Sequence, residues 1–76
     1  MANYEQFTSK HYLSARLKAL RSEKGITQKQ LAEQLNTSIS SIISYENSIR
    51  FPSSAVLGLL SRYFNVSKEY LLGETD

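Results

Sequence analysis

Apolar residues recur at helical spacing through most of this chain. Leu13, Leu17 and Leu20 are separated by four and then three positions, and basic side chains occupy much of the sequence between them. This stripe predicts an amphipathic helix. The residues before it have no such period, so we expect residues 1–12 to form an N-terminal arm that is partly disordered.

The first helix is predicted to end at Gly25, because glycine adopts the left-handed conformation at little steric cost. A second helix follows at once, since Thr27 and Gln30 have the spacing of a capping box. At about nine residues it is too short to be stable alone in water, so it must pack against a neighbouring helix. Its apolar positions are Leu31, Ala32 and Leu35.

The stretch "TSISSIISYEN", residues 37–47, allows two interpretations. A strand would interrupt the alternation at its second step and would place two adjacent isoleucines on opposite faces. A helix would gather Ile42 and Tyr45 on one side and turn Ser40 and Ile43 to another. The helix is favoured, because serine and β-branched residues each cost only a few tenths of a kcal/mol in a helix.

Two more helices complete the prediction. Pro52 interrupts the helical pattern, which resumes over about residues 53–64. Ser67 then caps one or two further turns, which end at Gly73. The expected fold is therefore all-α, a compact bundle of five short helices.

The length and composition restrict the class of function. A chain of 76 residues fits one domain and has little room for a deep catalytic pocket. It has no cysteine, and the sequence offers no Cys or carboxylate at metal-ligand spacing from its single His11, so we expect no enzyme activity, no metal and no cofactor. No small-molecule ligand is evident. Without an apolar run of about 20 residues or a signal peptide, we expect a cytoplasmic protein with no membrane partner.

The charges are unevenly distributed along the chain. Eight basic and three acidic residues lie between Lys10 and Arg62, whereas the segment from Tyr63 onward has one basic and three acidic residues. A basic body is compatible with binding a polyanion, and equally with ordinary surface chemistry. A solvated face is the prediction for Arg16, Lys18, Lys24 and Lys29.

The second and third helices, joined by the tight turn "LNTS", indicate a helix-turn-helix over about residues 27–46. Together with "RLKALRSEKGITQKQLAEQL", "SYEN", Pro52 and "FNVSKEYLLG", it makes the chain resemble the Cro and cI repressor type of DNA-binding domain. This is also called the xenobiotic response element family, and its fold is lambda-repressor-like. The resemblance covers residues 13–73 and leaves residues 74–76 as a C-terminal tail.

The resemblance implies a transcriptional regulator, a repressor, that places a helix over about residues 38–46 in the major groove of double-stranded DNA. Arg21 and Glu46 match a largely buried ion pair between the first and third helices. Gln28 matches a position that contacts a phosphate and braces the third helix. Asn47 also matches a phosphate contact, and Lys29 and Arg50 are further phosphate candidates. The base-facing side chains would be Ser38, Ile39, Ser40, Ile43 and Ser44.

The chain departs from the family on this base-facing surface. Family members commonly place Arg, Gln, Lys or Asn there, and such side chains pair with base edges. Exposed Ile39 and Ile43 could instead form an apolar patch for a protein partner, as on an antitoxin or an accessory subunit. The sequence leaves both alternatives open, and the resemblance favours DNA.

One short recognition helix supplies little specificity, so we expect a homodimer on a near-palindromic operator, at least when bound to DNA. In the cell such a protein would associate with the nucleoid. The candidates for the dimer interface are Ile49, Phe51, Leu59, Tyr63 and Tyr70.

Overall fold

The structure is a computed structural model that describes residues 9–75, and these residues form five α-helices and no strand. The predicted all-α, five-helix fold is confirmed. No helix within the described range is long and apolar enough to cross a membrane. The helices are α1 (Ser9–Lys24), α2 (Gln28–Gln34), α3 (Ile39–Glu46), α4 (Ser54–Phe64) and α5 (Lys68–Leu71).

Helix α1 begins at Ser9, so it includes four residues that the sequence pattern assigned to the arm. The first turn has no leucine stripe to reveal it. Instead, the ring of Tyr12 lies against Gly73, where a Cβ atom would come within 2.2 Å of the ring. That contact comes from the far end of the chain and cannot be read from local periodicity. The rest of the expected arm, residues 1–8, and residue 76 of the tail lie outside the described residues.

Four of the helices are preceded by a hydroxyl residue that acts as the N-cap. The capping box at α2 is complete: the Gln30 backbone N–H donates to Thr27 Oγ1 over 3.0 Å, and the Thr27 N–H donates to Gln30 Oε1 over 2.8 Å. At the starts of α3, α4 and α5 a serine hydroxyl accepts from the backbone N–H three residues later. These caps satisfy donors that a helix start otherwise leaves unpaired. The three serines are Ser38, Ser53 and Ser67.

All five helices end with the same motif. A residue with positive φ lies just beyond each helix, and the backbone N–H of the residue after it donates to the carbonyl five residues earlier. This is the Schellman arrangement, which turns the chain sharply away from the helix axis. Connections of a few residues are therefore enough to pack short helices together. The residues with positive φ are Gly25, Asn36, Ser48, Asn65 and Gly73.

One continuous core lies between the helices. Helix α3 packs against α1 and α2, and α5 packs against α1 and α4. Because α2 has only seven residues, its stability depends on this packing rather than on its own hydrogen bonds. The buried apolar residues are Leu13, Leu17, Leu31, Ala32, Leu35, Ile42, Tyr45, Leu57, Leu60 and Leu71.

Arg16 connects α1 to the end of α5. Its guanidinium lies 4.3 Å from the ring centre of Tyr70 and 5.5 Å from that of Tyr12. It also donates to the backbone carbonyls of Tyr70 and, over 2.7 Å, Thr75. The prediction that Arg16 belongs to a solvated face was therefore wrong, because its guanidinium is held by Tyr12 of its own helix and by Tyr70 and Thr75, which lie more than 50 residues away in the sequence.

Glu46 fixes α3 to the two helices beside it, and its side chain is almost completely buried, with 1% exposed. Arg21 Nε donates to Oε2 over 2.6 Å and Arg21 Nη2 donates to Oε1 over 3.1 Å. Gln28 Nε2 donates to the same Oε1 over 3.0 Å, and the Ser14 hydroxyl donates to the Glu46 backbone carbonyl. Helix α3 is thus held to α1 and to α2 by directional bonds as well as by the core.

The Glu46 carboxylate raises the pKa of Arg21 above its ordinary value, chiefly through the hydrogen bonds it accepts, while partial burial of the guanidinium acts in the opposite direction. A raised pKa in the folded state stabilises the fold at every pH below the ordinary arginine pKa. The contribution would be lost only as the pH rose through that high value. Arg21 therefore stays charged throughout the range in which proteins are normally handled.

Glycine substitutions separate backbone strain from packing at two helix ends. Gly25 and Gly73 both have positive φ, but a Cβ atom at Gly25 meets nothing within 4 Å. Gly25→Ala should lower the free energy of unfolding by about 1–2 kcal/mol from the left-handed conformation alone. Gly73→Ala should lower it by roughly 1–3 kcal/mol more, because the methyl group collides with the ring of Tyr12. Urea unfolding of the two variants measures the difference.

The control for the collision is the same Gly73→Ala change in a Tyr12→Ala background. Removing the ring should bring the loss caused by Gly73→Ala down to that of Gly25→Ala. Equal losses for the two glycine variants in the native background would show that Tyr12 moves aside freely, contrary to this packing.

The ion pair of Glu46 is testable by removing its partner. Arg21→Ala leaves a buried carboxylate without its cation, which should lower the free energy of unfolding by about 3–5 kcal/mol. The matched control is Arg62→Ala, which removes an exposed arginine from α4 and should change stability by less than about 0.5 kcal/mol. The measurement is again urea unfolding, followed by circular dichroism. Similar losses for both arginines would contradict the structural role of Arg21.

Candidate nucleic-acid interface

The helical interpretation of the stretch at residues 37–47 is confirmed over Ile39–Glu46, and this helix, α3, has an inner and an outer face. Ile42 and Tyr45 are buried in the core. Ile39 and Ile43 are turned away from the core, and they are 43% and 36% exposed. The same residue type thus serves the core at one position and the surface at the next.

The serines of α3 differ in what their hydroxyls can still bind. Ser38 Oγ accepts from the Ser41 backbone N–H over 3.1 Å, and it also bonds the hydroxyls of Ser40 and Ser41 at 3.1 and 2.9 Å. A hydroxyl has one donor and two acceptor positions, so all three on Ser38 are in use. Ser40 is exposed and Ser44 is half-buried, and these are the outward hydroxyls with capacity to spare.

Gln28 lies at the first position of α2 and is half-buried. Its side-chain amide has two hydrogens, and one is directed to Glu46 Oε1. The second is available to an external acceptor such as a phosphate oxygen. One side chain can therefore brace α3 and bind an anion at the same time.

The remaining phosphate candidates lie on the surface. Lys29 follows Gln28 and is exposed, and Asn47 follows Glu46 and is exposed. Gln28 and Glu46 are in contact, so the backbones of these two residues and of their neighbours Lys29 and Asn47 lie near the same end of α3. Arg50 is also exposed, with its guanidinium 6.0 Å from the ring centre of Tyr45.

The electrostatic balance of this region follows from the buried ion pair. The negative charge of Glu46 is met by Arg21 and does not reach the surface. Across α2, α3 and the loop that follows, the exposed charges are those of Lys29, Arg50 and Glu33. The helix-turn-helix itself is balanced by Lys29 and Glu33, and Arg50 in the loop gives the region as a whole a net positive exposed charge.

The five candidates for a dimer interface fall into two groups. Ile49 and Phe51, in the loop after α3, are 66% and 45% exposed. Leu59, Tyr63 and Tyr70 are half-buried. Leu59 and Tyr63 pack against the core, and Tyr70 lies beneath the guanidinium of Arg16. The loop therefore presents the larger free apolar surface.

Two residues that help to position the interface have no role in the sequence-based predictions. Ser14 is buried and donates to the Glu46 carbonyl. A small polar residue next to Leu13, inside the leucine stripe, was the available signal. Ser48 adopts φ of 60° at the end of α3, and nothing in the sequence marks it, because serine seldom adopts that conformation.

Comparison with known proteins gives matches over most of the chain. A family described as a helix-turn-helix domain matches residues 14–76. The HTH-type transcriptional regulator ImmR of Bacillus subtilis is 42% identical over 84% of this chain and 50% of its own length. The uncharacterized HTH-type transcriptional regulator YobD of the same organism is 39% identical over 80% of the chain and 54% of its own length.

A third relative is the HTH-type transcriptional activator BcrR of Enterococcus faecalis, which is 39% identical over 75% of this chain and 28% of its own length. The chain thus spans about half the length of ImmR and YobD and less of BcrR. The family match, by contrast, extends from α1 to the end of the chain. The resemblance to Cro and cI type domains is confirmed at this level, and the chain belongs to the helix-turn-helix domain family.

Proposed function

We propose that this chain binds operator DNA and regulates transcription, with α3 in the major groove. The observation that carries the proposal is the contact between Gln28 and Glu46. It brings a side chain with a spare amide hydrogen beside α3, and the buried carboxylate fixes which face of α3 points outward. Membership of the helix-turn-helix family and similarity to transcriptional regulators support the same function.

The distribution of candidate contacts supports a particular orientation on DNA. Gln28, Lys29 and Asn47 gather near the C-terminal end of α3, where they would hold the DNA backbone. Phosphate contacts fix register, and base contacts specify sequence. This arrangement leaves the N-terminal part of α3, with Ile39 and Ser40, to approach the base edges, as in other helix-turn-helix domains.

We further propose that the chain is a repressor and that it acts as a homodimer on a near-palindromic operator. A repressor can act by occupying the promoter, which requires no binding surface other than the one for DNA. ImmR is described as a transcriptional regulator and BcrR as a transcriptional activator, so neither of them supports repression. That part of the proposal rests on the resemblance to Cro and cI. Two copies would double the contacts, and two-fold symmetric half-sites suit a two-fold protein. The exposed Ile49 and Phe51 support a loop-mediated interface.

A second candidate function is a protein-binding module that uses the same fold. The exposure of Ile39 and Ile43 favours it, since apolar surface of this kind also suits a protein partner. The two functions differ in their dependence on salt. Phosphate binding releases counterions and weakens steeply as salt rises, whereas an apolar protein interface responds little.

Charge removal tests the DNA-binding proposal. Fluorescence anisotropy with a duplex selected from a random pool gives the slope of log affinity against log salt concentration. Lys29→Ala and Arg50→Ala should each reduce the magnitude of that slope by about 0.9, because each removes one phosphate contact. Lys68→Ala, an exposed lysine on α5, is the matched control and should leave the slope unchanged. Binding that is absent, or indifferent to salt, would favour the protein-binding module.

The homodimer is tested by stoichiometry on DNA. Sedimentation of the selected duplex should show two chains bound, and a half-site duplex should bind one. Phe51→Ser should weaken binding to the full site but leave half-site affinity unchanged, because it alters only the contact between the two copies. Equal weakening on both duplexes would place Phe51 against DNA instead of against the partner copy.

A further inference from the structure

The outward face of α3 offers two apolar side chains at one helical spacing. Ile39 and Ile43 are four residues apart, so their Cβ atoms lie on one face of the helix, about 5–6 Å from each other. Both are substantially exposed. The helix itself, "ISSIISYE", contains no Arg, Lys, Asn or Gln, the side chains that make bidentate bonds to guanine or adenine.

The hydroxyls beside these isoleucines discriminate poorly between bases. A serine can donate or accept at any base edge, and the hydroxyl of Ser38 is already saturated by its cap. Ser40 is small, so it permits close approach of the helix to the groove. The strongest sequence information available to α3 must therefore come from apolar contact.

The thymine C5 methyl is the apolar feature that the major groove presents. We propose that Ile39 and Ile43 are specificity-determining residues that read thymine methyl groups, an inference that rests on the proposed DNA-binding function. Ile39 directly follows the N-cap and so lies at the end of the helix that contacts base edges in helix-turn-helix proteins. Ile43 lies one turn further along.

Two physical features make isoleucine suitable for this contact. Its β-branch restricts χ1 strongly within a helix, so little side-chain freedom is lost on binding. The backbone beneath it is held by the Glu46 bonds to Arg21 and Gln28, so α3 presents the two side chains in a fixed orientation.

The helix geometry also limits where the thymines lie. Four residues of an α-helix advance about 6 Å. Successive base pairs are about 3.4 Å apart along the duplex axis. The two thymines should therefore lie within about two base-pair steps of each other in each half-site, on either strand.

The experiment begins with selection of bound duplexes from a random pool, which gives the operator. Affinity is then measured by fluorescence anisotropy with each thymine replaced in turn by uracil, which removes only the methyl group. At two positions per half-site, affinity should fall about fourfold, the factor that corresponds to losing the burial of one methyl group. Other thymines act as internal controls and should show no change.

Protein variants assign each methyl group to a side chain. Ile39→Ala should abolish the preference for thymine over uracil at one of the two positions, and Ile43→Ala should abolish it at the other. Both side chains are exposed and alanine favours helix, so the variants should fold, as circular dichroism can verify. Ser40→Ala is the matched control on the same face: it can change affinity but should preserve both preferences.

The outcomes distinguish this inference from the function on which it rests. A selected operator whose affinity is indifferent to uracil, or preferences that survive both isoleucine variants, would overturn methyl readout and leave DNA binding intact. Salt-indifferent binding with no enriched sequence would overturn both. Two uracil-sensitive positions that respond separately to Ile39→Ala and Ile43→Ala would establish the inference.

Discussion

The carboxylate of Glu46 is the constraint on which the arrangement of this domain depends. A buried carboxylate is stable only when its oxygens are paired, and here both are bound by side chains from the two helices that precede α3. Apolar packing is less directional than hydrogen bonding, so by itself it would leave an eight-residue helix some freedom to rotate about its axis. The bonds to Arg21 and Gln28 remove that freedom, and the outward face of α3 is a consequence.

This division of roles explains a helix whose composition does not favour helix. Serine and isoleucine have middling propensities, yet α3 is held by a capped start, a Schellman end and buried Ile42 and Tyr45. Because the stability of α3 comes mainly from its inner face and from Glu46, the outer residues contribute less to folding. Their identity can therefore be determined by what the helix binds.

How much could be predicted from the sequence depended on whether the determinant was local. The caps at Thr27 and Ser67 and the turn at Gly25 were predictable, because their determinants lie within a few residues. The roles of Arg16 and Tyr12 were not, because their partners come from the end of α5. The Arg21 and Glu46 pair was expected only through the family resemblance, and the structure adds the bonds that complete it. For the contacts to DNA, the sequence supplied candidate residues, and their roles stay predictions.

The chemistry of α3 also bears on how such a domain could find its operator. One methyl contact is worth about a fourfold preference, so two isoleucines give roughly fifteenfold and a symmetric dimer roughly 200-fold. Specific sites are typically preferred over non-specific DNA by about 10³ to 10⁷. Apolar contacts through Ile39 and Ile43 therefore fall short even in a dimer. In this proposal the remainder would come from the shape and deformability of the DNA, which phosphate contacts by Gln28, Lys29 and Asn47 would be suited to sense. An operator for this domain should accordingly be constrained at positions that no side chain of α3 can reach.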